Sequence, residues 1–423
     1  MLRLATMVLA LSFAVAIMQE VSAQTDSLLV SGQDTIRYKY TPITLPAQDT
    51  IAATPSDSVA TKNATKKPNF FKRIVNYFAE SSKDKSFDKK IDFTFVGGPS
   101  YSNSTSLSIG LLAAGLYRID KVNRNLPASA VSIYATASII GFYKVGIEGS
   151  NIFKDDRDRL MYDIAFSSQP TDFWGLGYHA AVNNPRTSYI ANKYQVEIKY
   201  LHRLFKNTYA GVKTNFDYIY CGKKMKAPAY LEGQKNHYSA TGLSIMLEYD
   251  SRDFIPNPSR GLYVSFQEMI RPKAMGSIGS TTWTTKVTVD YYHKLWKGAI
   301  LALDLYGEFN SQTTPWVFYA QMGGSHRMRG YYEGRFSDLS VVMIQAELRQ
   351  RIWRRIGMTA WGGAGNVFSS FNRFDWGHTM PNYGIGLRWE FKNRVNIRAD
   401  YGMGGKVQGK LISGFLFSIN EAF

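Results

Sequence analysis

From residue 91 to residue 423 apolar and polar positions alternate with a period of two, in runs of about ten residues. Trp283, Thr285, Val287, Val289 and Tyr291 share one face, with Thr284, Lys286, Thr288 and Asp290 on the other. Val342, Ile344, Ala346 and Leu348 alternate with Met343, Gln345, Glu347 and Arg349, and Tyr383, Ile385, Leu387, Trp389 and Phe391 with Gly384, Gly386, Arg388 and Glu390. A soluble sandwich would alternate too. Here, however, the apolar faces carry bulky aromatics near strand ends, and the opposite faces carry charges in mid-strand, which suits a wet lumen and not a dry core. Every second connection reads as short (154–157, 205–207, 295–298, 353–355, 392–393) and the intervening ones as long (168–188, 221–236, 313–337, 369–379). The pattern predicts strands starting near residues 91, 107, 128, 142, 158, 190, 208, 238, 261, 282, 299, 339, 356, 381, 394 and 410. The expected fold is all-β: a 16-stranded antiparallel transmembrane β-barrel over 91–423, with both ends on the periplasmic side.

The preceding segment has a different character. Residues 1–23 read as a cleaved signal peptide: Arg3, an apolar stretch from Leu4 to Met18, and the small-residue site Val21-Ser22-Ala23. Residues 24–68, rich in Thr, Ser, Ala, Asp and Pro, read as a disordered periplasmic linker. Residues 69–90 read as a short amphipathic helix and connector, with Phe70, Phe71, Ile74, Val75 and Phe78 on one side. An exported chain of this pattern belongs in the bacterial outer membrane of a Gram-negative cell.

Composition narrows the chemistry. The chain has 423 residues, 14% aromatic, with 27 Tyr and a single cysteine, Cys221, which excludes internal disulfides and cysteine-based zinc sites. The net charge of +17 would suggest nucleic acid, but export argues against it; outer-membrane lipids and the phosphates of lipopolysaccharide are the fitting anionic partners. Six histidines sit mostly at strand ends and loops, and no GxSxG elbow is present. Neither catalytic residues, nor a metal, nor a cofactor is expected.

Three stretches resemble the Omp85 superfamily of outer-membrane barrels, in its assembly-factor and surface-antigen branch. Tyr249-Asp250-Ser251-Arg252-Asp253, with Pro256, Pro258 and Gly261, resembles that family's periplasmic-turn signature. Gly323-Gly324 followed by Arg329-Gly330-Tyr331 resembles its RGY motif and falls in the sixth outer loop. The ending, Gly414 to Phe423, with Phe415, Phe417, Ile419 and Phe423 read as one face, is similar to the insertion signal at the end of such barrels. The resemblance implies that the sixth loop folds into the lumen and that Arg329 pairs with Glu347 on the inner wall. One departure is Gly363, which stands where the family often places an acidic residue, so that Glu390 or another lumen acid would have to supply a second carboxylate. The other is the N-terminal segment, which lacks the strand-helix pattern of POTRA domains and reads as POTRA-less.

The resemblance further implies a role in inserting or translocating outer-membrane or surface proteins, with unfolded clients and assembly proteins as partners. The device would be a weak seam between first and last strands. Gly97, Gly98 and Pro99 in the first strand favour short pairing, because Pro99 has no N–H to donate. The alternatives are a passive pore or structural subunit of a larger complex, and, more remotely, a hydrolase on the barrel rim.

Overall fold

The computed structural model describes residues 87–88, 90–122, 126–223, 234–255, 257–392 and 395–423. The expected signal peptide, the linker and nearly all of the amphipathic segment lie outside the described residues. Eighteen strands follow in order: β1 (Asp92–Ser102), β2 (Ser106–Tyr117), β3 (Ser129–Ser138), β4 (Tyr143–Ile152), β5 (Asp158–Phe173) and β6 (Thr187–Phe205) come first. Next are β7 (Thr208–Lys223), β8 (His237–Asp250), β9 (Gly261–Arg271), β10 (Thr282–Lys294), β11 (Ala299–Asn310), β12 (Ala320–Met322) and β13 (Phe336–Asp338). The last five are β14 (Ser340–Trp353), β15 (Ile356–Phe368), β16 (Met380–Lys392), β17 (Val395–Val407) and β18 (Lys410–Ile419). Sixteen of them close into one antiparallel barrel, in which β11 pairs with β14 and β18 returns to β1. The remaining two, β12 and β13, form a separate hairpin within the β11–β14 connection.

The side-chain alternation sorts as a membrane barrel requires. Outward residues such as Phe93, Phe95, Ile109, Leu111, Ile133, Val145, Val212, Ile245, Ile344, Ile385 and Leu387 are exposed, and together they ring the molecule with apolar surface. Water could not tolerate so large a continuous patch, whereas lipid requires it. Inward positions carry the charges, which pair across strands: Lys199 with Glu248 at 2.5 Å, Lys213 with Glu197 at 2.8 Å, and Lys286 with Glu308 at 3.2 Å.

Two expectations about the connections change. Strands are longer than ten residues in the middle of the sheet: β5, β6 and β7 have 16, 19 and 16. At about 3.3 Å per residue they run well past a ~25 Å apolar band even when tilted, so part of what reads as loop in 168–188 is wall. Between β5 and β6 the chain makes a short helix, α1 (Tyr178–Asn183). The expected alternation of short and long connections also holds only in part. At the loop end, 103–105, 139–142 and 408–409 are short; at the turn end, 118–128 and 251–260 are long. The short loop-end connections flank the β1–β18 closure.

The closure is the thinnest part of the wall. β1 is registered with β2 along its whole length, from Asp92↔Leu116 to Ser102↔Ser106. With β18 it is registered at a single pair, Tyr101↔Phe417.

Candidate functional site: the sixth loop on the inner wall

The β11–β14 connection, residues 311–339, turns into the barrel. Its hairpin pairs Ala320 with Asp338 and Met322 with Phe336, and Met322, Met328, Tyr331 and Phe336 pack with Val341, Met343, Val367 and Met380 of the wall in a buried apolar cluster. A second cluster, higher in the lumen, seats Trp316 among Phe173, Tyr189, Ile219 and Tyr238. Apolar side chains therefore hold the hairpin and the residues flanking the tip, and polar ones hold Arg329 between them.

At the tip Arg329 is wholly buried. Its guanidinium donates from Nη2 to Glu347 Oε2 at 2.5 Å and from Nη1 to Asp400 Oδ2 at 2.9 Å. The guanidinium carbon stands 3.6 Å from the centroid of the Trp361 ring. A planar fork between two carboxylates and on an aromatic face is a geometry that arginine fills and lysine does not. The second carboxylate thus comes from Asp400 on β17. Glu390 lies at the turn end, where it accepts from Arg351 Nη2 at 3.1 Å. The reason is local: Trp361 occupies the β15 wall under the guanidinium, and Gly386 on β16 leaves the space through which the Asp400 side chain reaches. A Cβ on Gly386 would stand 2.0 Å from Asp400 Oδ1.

The neighbouring motif residues bring backbone against backbone. Gly330 has φ +100, and a Cβ there would lie 2.5 Å from Gly402 O. The Tyr331 hydroxyl donates to Pro381 O at 2.7 Å and accepts from Gly405 N at 2.7 Å. Asn382 Nδ2 donates to Arg329 O at 2.6 Å. Asn103, in the β1–β2 connection, donates from Nδ2 to Gly330 O at 2.8 Å and to Ser413 O of β18 at 3.3 Å. The loop tip is therefore tied to the β1–β2 connection, whose Asn103 also reaches β18.

Sequence reasoning missed the rest of the contact. Arg327 forks onto Asp304, with its Nη2 2.6 Å from Oδ1, and Arg398 Nη2 donates to Ser325 O at 2.7 Å. His326 is held below its ordinary pKa, by burial first and then by the surrounding guanidiniums; in the neutral ring Nδ1–H donates to Ala422 O at 2.6 Å. Gly402 and Gly404, spaced by two on an inward face, were the available signal for a docked backbone.

The ending differs from its expected geometry. Phe415, Phe417 and Ile419 are on the outer face of β18, and Gly414 faces inward against Asn103. Phe423 is not with them. The strand stops at Ile419, Asn420 turns with φ +68, and Glu421, Ala422 and Phe423 enter the lumen. Charge draws the tail in: Arg388 Nε donates to Glu421 Oε2 at 2.8 Å, and Arg349 Nη2 to Phe423 O at 2.8 Å.

The signature after Tyr249 makes a self-contained turn. Arg252 forks onto Asp250 at 2.9 and 2.8 Å over the Tyr263 ring, and Asp253 accepts from Ser259 N at 2.8 Å and Ser259 Oγ at 2.6 Å. Pro256 lies outside the described residues. Gly261 has φ +116, and a Cβ there would be 2.5 Å from Ser251 O. Gly261→Ala should therefore lower barrel stability by about 1–3 kcal/mol, read as an earlier melt in detergent, while Ser265→Ala, four positions further along β9, should leave it unchanged. Equal melts would remove the turn from the account.

A profile of the Omp85 superfamily domain matches residues 135–423, from within β3 to the last residue. The chain belongs to the Omp85 superfamily. Among solved structures, this Omp85 barrel is similar to BamA from Haemophilus ducreyi lacking POTRA domains 1–3 (TM-score 0.54, 11% identity, covering 78% of this chain and 70% of that one). It is also similar to CdiB from Escherichia coli (TM-score 0.57, 12% identity, 79% and 63%) and to CdiB from Acinetobacter baumannii (TM-score 0.53, 14% identity, 79% and 60%). At these identities the likeness is one of fold, and the chain spans less than two thirds of either CdiB chain. Comparison with curated protein sequences returns no match. Omp85 barrels are integral outer-membrane proteins, and no POTRA domain occurs among the described residues.

Proposed function

We propose that this Omp85 barrel assists the insertion or translocation of outer-membrane or surface proteins through the β1–β18 closure, with the sixth loop as the latch. The observation that carries this reading is the closure itself, one registered pair against full-length pairing between β1 and β2. Each unpaired backbone group along β1 and β18 is a donor or acceptor that an incoming strand can satisfy by augmentation. Asn103 bridges the loop tip and β18, so undocking the loop frees one of the two contacts that hold this side chain at the closure.

A passive pore is the weaker alternative, since loop, tail and paired charges occupy much of the lumen. Among the described residues no arrangement favours a rim hydrolase. The role we assign is non-enzymatic, with unfolded clients and membrane lipids as partners, the lipopolysaccharide contact included. Export by a cleaved signal peptide belongs to the same proposal.

The test is reconstitution. With the purified barrel in liposomes, an unfolded client barrel should fold into the bilayer at least several-fold faster than into empty liposomes. No acceleration, together with steady single-channel current, would replace this reading with the pore.

A further inference from the structure

At the turn end the lumen opens into a cavity of about 620 Å³ bordered by the β10–β11 and β14–β15 turns and by the tail. Its inner wall holds Arg349 and Arg388, whose side chains are 6% and 5% exposed. Arg349 Nη1 is buried without a hydrogen-bond partner. Lys294, Lys297 and Arg355 stand exposed on the rim, and among the described residues none of them has a carboxylate within ion-pair distance.

The tail shows what this wall accepts. Glu421 takes Arg388 Nε at 2.8 Å and Asn396 Nδ2 at 2.5 Å on its two oxygens. Two residues on, the Phe423 ring centroid lies 5.3 Å from the Arg349 guanidinium carbon and 6.4 Å from the Tyr292 ring. An irregular stretch with a carboxylate followed by an aromatic at the second position is thus already seated there. It leaves the rim cations and the cavity beside them unfilled. The two other acidic side chains lining the cavity are engaged, Asp253 by Ser259 and Glu390, beside Arg355, by Arg351.

From this we infer that the vestibule is a polypeptide-binding site that takes segments carrying a carboxylate and an aromatic side chain two residues apart, beside the resident Glu421–Phe423 tail. Bilayer headgroups are the less suitable occupant, because Arg349 and Arg388 project to the lumen side of the wall, away from lipid. Binding would place an incoming chain at the mouth before it meets the β1–β18 closure. In that role the site rests on the assembly reading, but its chemistry is tested separately.

The probe is a fluorescein-labelled octapeptide with two Glu-x-Phe units, against its Gln-x-Phe counterpart. The full chain is held in nanodiscs of zwitterionic lipid and read by anisotropy. The wild type should bind the Glu peptide about tenfold tighter, as expected for one or two charge-assisted hydrogen bonds. The preference should vanish in the triple variant Lys294→Gln, Lys297→Gln, Arg355→Gln, whose melting should match the wild type because all three side chains are exposed. Binding to the wild type should also weaken steeply with salt. Equal affinity for the two peptides, a preference that survives in a folded triple variant, or salt-independent binding would each overturn the site. Client insertion without peptide preference would remove the vestibule alone; preference without insertion would remove the assembly reading alone.

Discussion

Arg329→Ala should release the sixth loop from the barrel wall. The substitution leaves Glu347 and Asp400, both fully buried, without the cation between them. Breaking a buried pair by removing one partner costs about 3–5 kcal/mol, since the charge left behind keeps its desolvation penalty. Applied to docking, that is a shift of roughly two to four orders of magnitude toward the undocked loop. Arg349, Arg388 and Arg398 still approach the two carboxylates, so the barrel should remain closed while the loop comes free. Trypsin is the direct readout: Arg327 is held against Asp304 in the docked loop and should become a cleavage site once the loop is free. Arg329→Lys should recover only part of the protection, because one ammonium cannot fork between two acids over Trp361. Equal protection in all three proteins would remove the ion pair from the account.

A valine at position 402 should have an effect of the same order by another route. A Cβ on Gly402 would stand 2.1 Å from the Arg329 carbonyl oxygen and 2.5 Å from its carbon, a clash with backbone that no rotamer relieves. Gly404 is similar, with the Tyr331 ring 2.3 Å away, but a ring can swing. Gly402→Val should therefore expose the loop to trypsin and open the lumen to current, with Gly404→Val milder. The wall network around Asp400 stays intact in both, so heat-resistant barrel mobility on gels should persist. If Gly402→Val kept the loop protected and the channel silent, the close backbone approach would not be what seats the motif.

Much of this was legible beforehand because a barrel writes its fold into every second residue. The strand starts expected at 107, 158, 208, 261, 299, 356 and 410 fall within one residue of those observed, since each is set by a local change from alternation to turn. The Arg329–Glu347 pairing followed from resemblance and strand register. What was not legible depended on contacts between distant strands. Asp400 reads as one more lumen charge until the bare position at Gly386 is seen beside it, and that neighbour comes from pairing across β16 and β17. Phe423 keeps the alternation of Phe415 and Phe417, so sequence placed it on the lipid face. The left-handed turn at Asn420 and the pull of Arg388 on Glu421 are tertiary facts. The β12–β13 hairpin is three residues to a strand, too short for any period to register.

The most direct test of the closure is to lock it. Tyr101 and Phe417 are directly opposed across β1 and β18, and antiparallel partners have the Cα spacing a disulfide requires. With Cys221 replaced by alanine, Tyr101→Cys with Phe417→Cys should form a bond under oxidation. Client insertion by that protein in liposomes should then fall to the rate of empty liposomes and return when the bond is reduced. Insertion at the same rate in the oxidised and reduced states would contradict the account, because the barrel would then be working without opening between β1 and β18.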